Sequence, residues 1–246
     1  MTTKIAARCL GCLCFILTCC GSATGEGVHH YVFFNRDRER ISDAAFLETK
    51  AVEGRTVQER FHKLLVALGK EFDGKVEGIN LAETAVSFGE SGRLFPKGFT
   101  PAIYRDAVLT NMIALKRAFP KSVAMQYANF MPGEWLPGKD KSYLRSVYQR
   151  AKESNIGVGG PDLLPYKPGQ MSHCYPLLKE CAGSTPTGIA VQQGNYAHKN
   201  PKTAKRMIIA ELVGFATEYL KVDYLFWCNE EPFYSEELIP FLRLQK

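Results

Sequence analysis

The sequence lacks the local motifs of several common functional classes. Beyond residue 23 it contains no CxxC or HxxxH spacing suited to a metal site. It has no G-x-S-x-G nucleophile motif and no glycine-rich loop suited to phosphate. We therefore predict no metal and no cofactor. Basic residues do not form a run, so nucleic acid is not a predicted partner.

Cysteine is scarce outside the N-terminus. Five of the eight cysteines precede residue 21, which leaves Cys174, Cys181 and Cys228. A continuous helix would separate Cys174 from Cys181 by about 10 Å, too far for a disulfide. We predict three mostly buried free thiols.

The first 23 residues have the pattern of a signal peptide. Lys4 and Arg8 precede the apolar run Cys9–Cys20, which is too short to span a membrane comfortably. Small residues at 21–23 predict cleavage after Ala23, and lipidation of a cysteine ending this run is the alternative. We expect an exported protein, periplasmic or extracellular, with no transmembrane helix in the mature chain. Cleavage would lower the formal net charge from +6 to +4.

Residues 24–246 have the pattern of a single α/β domain. Brief apolar runs end on polar or acidic residues, and helical periodicities separate them, which predicts βαβ units and a parallel sheet. The runs begin near residues 76, 122, 156, 188 and 222, a mean spacing of about 36 residues. This period predicts a TIM (β/α)8-barrel-like fold. The predicted strands are Val76–Thr84, Ser122–Asn129, Ile156–Asp162, Gly188–Asn195 and Val222–Glu230. Before the last of them, apolar spacing predicts a helix over Pro201–Lys221 that faces inward through Ile208, Leu212, Phe215 and Leu220.

The strand count falls short of a complete barrel. Val28–Asn35 reads as a first strand, and the interval to Val76 has room for one crossover where three would be expected. We therefore predict an incomplete barrel of about six strands.

Four segments resemble a group of exported bacterial proteins that are similar in fold to (β/α)8-barrel glycoside hydrolases. They are Val76–Thr84, Tyr127–Pro137, Ala190–Tyr196 and Tyr224–Phe233, and the resemblance extends over Val28–Lys246. It implies that the second and third barrel strands are missing, between Glu53 and Arg55. It also implies that the partner is a carbohydrate. No feature of the sequence indicates an oligomeric state.

The resemblance also implies candidate catalytic residues. In retaining enzymes of the large glycosidase clan, the acid/base is a Glu after the fourth strand, often preceded by Asn, and the nucleophile is a Glu after the seventh. Glu83 with Asn80 is similar to the acid/base site. The seventh-strand position holds Gln192 and Gln193, whose amides cannot attack an anomeric carbon, so the retaining mechanism is not expected here.

An inverting scheme needs a second carboxylate across the scissile bond. Asp162, Glu230 and Glu231 follow predicted strands and are the candidates for a base that activates water. The alternative is that these carboxylates, and Glu83 itself, have structural roles at the edge of the sheet.

Further residues suit a ligand rich in hydroxyl groups. Trp135 and Trp227 are candidate platforms for a sugar ring, with core packing as the alternative for both. His173 is expected to have a structural role. Candidate polar contacts, since buried polar groups require partners, are Asn80, Tyr127, Asn129, Gln193, Asn195 and Tyr196. The function predicted is that of a glycoside-hydrolase-like protein, with a non-catalytic carbohydrate-binding or inactive barrel as the alternative.

Overall fold

The computed structural model describes residues 29–33, 57–86 and 98–244. The predicted signal peptide lies outside these residues, and so does the proposed junction between Glu53 and Arg55.

Six parallel strands form one sheet in the described residues. Each begins within two residues of its predicted start, and apolar residues dominate most of them. They are β1 (His29–Phe33), β2 (Gly78–Leu81), β3 (Val123–Tyr127), β4 (Gly157–Gly160), β5 (Thr187–Val191) and β6 (Tyr224–Cys228).

The strand order is that of a barrel that does not close. It runs β1-β6-β5-β4-β3-β2, and each neighbouring pair is parallel. The first strand therefore pairs with the last, as barrel closure requires, whereas β1 and β2 lie at opposite ends of the sheet. A complete barrel would pair its first strand with its second. The predicted incomplete TIM-barrel-like fold of about six strands is confirmed, with the opening between β1 and β2.

The helices connect these strands. They are α1 (Val57–Phe72), α2 (Pro101–Ala118), α3 (Tyr143–Ser154), α4 (Pro168–Ser172), α5 (Cys174–Cys181), α6 (Ile209–Gly214) and α7 (Ile239–Leu244). A short 3-10 turn covers Asn195–Ala197, and π-helical segments cover Phe215–Leu220 and Tyr234–Leu238. Local sequence accounts for α2: the Thr100 hydroxyl accepts a hydrogen bond from the amide of Ile103, and Pro101 occupies the first turn.

One predicted helix was wrong at its N-terminal end. A helix was expected over Pro201–Lys221 with Ile208 facing inward, but α6 begins at Ile209 and Ile208 is 51% exposed. The preceding residues instead form an antiparallel bridge between Lys199 and Arg206. Apolar spacing counted Ile208 as part of the inward face, although it lies just before the first helical turn.

The two faces of the sheet differ in what they pack against. One face contacts the helices through the main apolar core, which includes Ile189, Val191, Leu225 and Trp227. The opposite face, the inner face of the incomplete barrel, carries a small cluster of Met125, Tyr127, Ala190 and Phe226. Glycine makes room for it: a Cβ at Gly188 would lie 2.7 Å from the Phe226 ring.

Helices α1 and α2 cross closely beside β2. A Cβ at Gly69 would lie 2.1 Å from the carbonyl oxygen of Ala118, so this approach requires glycine. Leu65 and Phe119 are fully buried at this contact. The pair of helices therefore fixes β2 at its end of the sheet.

The predicted buried thiols are confirmed. Cys174, Cys181 and Cys228 are buried and form no disulfide within the described residues, and α5 extends without interruption from Cys174 to Cys181. Burial raises the pKa of Cys174 to about 12 and that of Cys181 to about 11. Within the described ranges no helix combines the length and apolarity needed to cross a membrane.

Candidate functional site

The carboxyl ends of the parallel strands lie at one edge of the sheet, here called the carboxyl edge. In folds of this kind that edge carries the chemistry. The segments that follow β2, β4 and β6 place there all four candidate catalytic carboxylates: Glu83, Asp162, Glu230 and Glu231.

A hydrogen bond joins Glu83 to the neighbouring strand. Asn129, which follows β3, donates from Nδ2 to Glu83 Oε2 at 2.5 Å. The same side chain accepts from the amide of Phe130 at 2.8 Å through its Oδ1. Asn129 is buried and Glu83 is exposed. The exposed carboxylate is therefore held by a buried amide and remains accessible from solvent.

Asn80 lies on the inner face of the sheet. Its neighbours Ile79 and Leu81 pack toward the helices, so strand alternation turns Asn80 the other way, opposite Met125 in the β2–β3 register. Its side chain is 2% exposed, yet neither Oδ1 nor Nδ2 has a hydrogen-bond partner among the described residues. A buried amide without partners costs about 1–3 kcal/mol of folding free energy.

Thr84 is a residue that the sequence prediction missed. It is fully buried, and its hydroxyl has no hydrogen-bond partner in the described part of the chain. Its carbonyl oxygen accepts from the Tyr104 hydroxyl at 3.2 Å. The only feature of the sequence that could have indicated Thr84 as a site residue was its position directly after Glu83. Asn80 and Thr84 thus give the β2 end of the carboxyl edge two unsatisfied buried polar groups.

Hydrogen bonds of Asn195 join the segment after β4 to the segment after β5. Asn195 Nδ2 donates to Asp162 Oδ1 at 3.1 Å. Asn195 Oδ1 accepts from the amides of Leu163 and Gln192 at 3.2 and 3.1 Å. Asn195 is buried, and Gln193, next to it, is exposed. The structure therefore brings Asp162 and Asn195 together as a structural pair.

The two carboxylates after β6 also accept hydrogen bonds. Glu230 Oε2 accepts from the amide of Gly194 at 2.7 Å, which joins the ends of β5 and β6. Glu231 accepts from the Ser235 hydroxyl at 2.6 Å, at the start of the π-helical segment. Glu230 thus bonds to the loop that follows β5, whereas Glu231 bonds only four residues further along its own segment.

Trp227 and Tyr196 are core residues in this structure. Both are 0% exposed, and their ring centroids lie 6.1 Å apart. The Tyr196 hydroxyl donates to the carbonyl oxygen of Cys228 at 2.6 Å, and burial raises the pKa of Tyr196 well above its usual value. The positions favour core packing, the alternative raised for Trp227, over a role as a sugar platform.

Trp135 is exposed, as a platform requires. It is 53% exposed and stacks on Phe130 at 5.4 Å between ring centroids, with an interplanar angle of 13°. His173 lies under both rings, 4.8 Å from Phe130 and 5.2 Å from Trp135. His173 Nδ1 accepts from the amide of Leu136 at 2.8 Å, which fits the expected structural role, whereas its Nε2 has no hydrogen-bond partner among the described residues. Burial lowers the pKa of His173.

Glu134 fixes the loop that carries Trp135. It is buried, and its carboxylate accepts from the amides of Lys141, Tyr143 and Leu144 at 2.6–3.1 Å. These amides lie at the start of α3, where a helix N-terminus favours negative charge. The sequence prediction assigned Glu134 no role.

No family model and no curated protein matches the chain. A GH10 structure from Paenibacillus barcinonensis is similar at 11% identity and a TM-score of 0.38, over 74% of this chain and 61% of that one. A thermostable mutant of the xylanase Xyn10A from Cellvibrio japonicus is similar at 10% identity and a TM-score of 0.44, over 84% and 70%. The chain spans under two thirds of the first structure's length. Strand order, independent of these likenesses, assigns the chain to an incomplete TIM-barrel-like fold.

Proposed function

We propose that this protein is a glycoside-hydrolase-like protein that takes a carbohydrate at the carboxyl edge of its sheet, with Glu83 as the candidate general acid. The observation that carries the proposal is Asn80, three residues before Glu83, a buried side chain whose donor and acceptor both lack a partner among the described residues. A sugar hydroxyl can both donate to and accept from such an amide. Ligand binding would thus recover hydrogen bonds that the described residues do not supply.

The chemistry assigned to Glu83 is proton donation to the leaving oxygen. A protonated Glu83 would transfer its proton to the glycosidic oxygen while a second carboxylate takes a proton from a water that attacks the anomeric carbon. Asp162, Glu230 and Glu231 are the candidates for that base. Glu83 meets one requirement of the acid, because its carboxylate is exposed at the edge while Asn129 holds its orientation.

A non-catalytic carbohydrate-binding barrel is the second candidate function. A specific observation favours it: each of the three candidate bases already accepts a hydrogen bond from the carboxyl edge itself. The end of β5 carries Gln192 and Gln193 where a retaining enzyme would need its nucleophile. In this alternative the same edge binds the sugar and leaves the glycosidic bond intact.

Thermal unfolding with a panel of oligosaccharides tests binding first. A ligand that binds only the folded state raises the unfolding midpoint. At a hundred times its Kd it adds about 2.7 kcal/mol to the free energy of unfolding. The sugar that gives the largest shift is then incubated with the protein, and reducing ends are measured over time. Glu83→Gln is compared with Glu180→Gln, which removes an exposed carboxylate from the last turn of α5.

The outcomes separate the two functions. Turnover that Glu83→Gln abolishes and Glu180→Gln preserves supports the hydrolase. A midpoint shift without turnover, retained in Glu83→Gln, supports the binding protein. An unfolding midpoint that no sugar raises would contradict both.

A further inference from the structure

The loops after β4 and β5 carry charge of almost one sign. Residues 161–167 and 192–208 contain a single carboxylate, Asp162, which already accepts from Asn195. The same residues contain five basic side chains: Lys167, Lys199, Lys202, Lys205 and Arg206. Both loops leave the carboxyl ends of neighbouring strands, so this charge lies at the edge that holds the candidate site.

The loop after β5 forms an ordered hairpin. Lys199 and Arg206 form an antiparallel bridge, and the amide of Asn200 donates to the carbonyl oxygen of Lys205 at 2.9 Å. The Asn200 side chain accepts from the amide of Lys202 at 2.9 Å. The lysines at 199, 202 and 205 are all exposed. The hairpin therefore presents its ammonium groups from a backbone held by hydrogen bonds.

Two contacts fix the hairpin to the carboxyl edge. His198 Nε2 lies 2.8 Å from the carbonyl oxygen of Pro165, which joins the hairpin to the loop after β4. Arg206 forms a salt bridge with Glu237 at 2.7 Å. Arg206 is thus neutralised, and its role is to hold the base of the hairpin.

The remaining charge is uncompensated. None of the four lysines, at 167, 199, 202 and 205, forms a salt bridge with a described residue. Lys202 Nζ lies 6.0 Å from the ring centroid of Tyr166, which is 40% exposed. An exposed aromatic ring beside free ammonium groups suits a ligand that has both a sugar ring and negative charge.

We propose that these four lysines form a cationic rim that binds the acidic groups, carboxylate or sulfate ester, of an anionic glycan occupying the carboxyl edge. The proposal rests on the proposed function and adds a substrate class to it. The rim would raise the local concentration of an acidic chain and orient it along the loops after β4 and β5.

The test uses glycans that differ only in charge. Affinity is measured for hexagalacturonate against its methyl ester, and for sulfated against unsulfated dextran oligosaccharides, at low and high salt. Lys199, Lys202 and Lys205 are replaced together by Gln. A matched variant replaces Lys63, Lys70 and Lys152, which are exposed on α1 and α3. It removes the same amount of charge, but from the helical layer.

We expect the acidic member of at least one pair to bind about tenfold more tightly than its neutral counterpart, with the difference lost in high salt. The rim variant should lose that advantage and the matched variant should keep it. Carboxylate and sulfate are distinguished by which pair shows the difference.

Three results would overturn the proposal. Equal affinity for both members of each pair would be compatible with the proposed function, but it would show that acidic glycans are not the preferred ligands. Single-stranded poly(dT) binding as tightly as the acidic glycan would assign the rim to polyanions in general. Failure of every glycan, acidic or neutral, to bind would contradict the proposed function together with the rim.

Discussion

The two halves of the carboxyl edge differ in how their polar side chains are satisfied. Between β4 and β6, Asn195 uses both ends of its amide, and the carboxylates of Asp162 and Glu230 accept hydrogen bonds from neighbouring loops. At β2, Asn80 is as deeply buried, but neither end of its amide bonds to a described residue. Two asparagines at the same edge therefore differ: one holds loops together, and the other is, under the proposed function, a partner for the ligand.

Under the proposed function, this difference separates polar residues that hold loops together from those that meet a ligand. A buried group that makes all its hydrogen bonds contributes to folding, and its removal leaves its partners unpaired. A buried group without partners costs folding free energy and persists for another reason. The β2 end is therefore the better place to look for the ligand, although the β5 and β6 ends carry more candidate residues.

Replacing Asn195 by Leu should have the largest effect on stability. The change removes the acceptor of two amides and the donor to Asp162. We expect the free energy of unfolding to fall by about 2–4 kcal/mol, measured by urea denaturation. Gln193→Leu, at the exposed neighbouring position, should change it by less than about 0.5 kcal/mol. Equal losses in the two variants would contradict the structural role of Asn195.

The sequence predicted the strands well and the orientation of their side chains less well. Short apolar runs between helical periodicities located all six strands. The sequence left open whether Trp227 is a platform or a core residue, because β6 is apolar on both faces and alternation then gives no sign of which face meets the helices. Ile208 was misplaced because spacing alone does not mark where a helix begins.

The candidate site was predictable only as a set of residues. Polar residues after strands identified the carboxyl edge, since parallel strands end together. Which of them bond to one another depends on loop conformation, so the pairs Asp162–Asn195 and Glu230–Gly194 could not be read from spacing. Whether Asn80 has a hydrogen-bond partner likewise depends on every neighbour around it.

Protonation of His173, which packs against the loop that follows β3, should contribute to the pH dependence of stability. Burial lowers its pKa below the usual 6.5, whereas the Glu134 and Asp140 carboxylates act in the opposite direction. As the pH falls below 6.5, the unfolded chain binds the proton first, so the free energy of unfolding decreases toward acid. The slope from this group is at most about 1.4 kcal/mol per pH unit.

His173→Gln isolates this contribution. The variant has no imidazole, so its unfolding free energy should depend less on pH between 6.5 and the lowered pKa than that of the unsubstituted protein. An NMR titration of the His173 ring gives the pKa directly. Identical pH profiles for the two proteins, or a ring that titrates above 6.5, would show that burial does not control this group.

Replacing Asn80 by Leu should have the smallest effect on stability and the most specific effect on binding. Leu has nearly the same size, and the change removes a buried amide that makes no hydrogen bond with a described residue. We expect the free energy of unfolding to stay the same or rise by about 1 kcal/mol, because no partner is left unpaired. The thermal shift given by the binding sugar should disappear in the same variant. Asn195→Leu would by contrast lower stability. A loss of about 2 kcal/mol or more in Asn80→Leu would mean that Asn80 already has partners in the folded protein, and the contrast between the two halves of the edge would then fail.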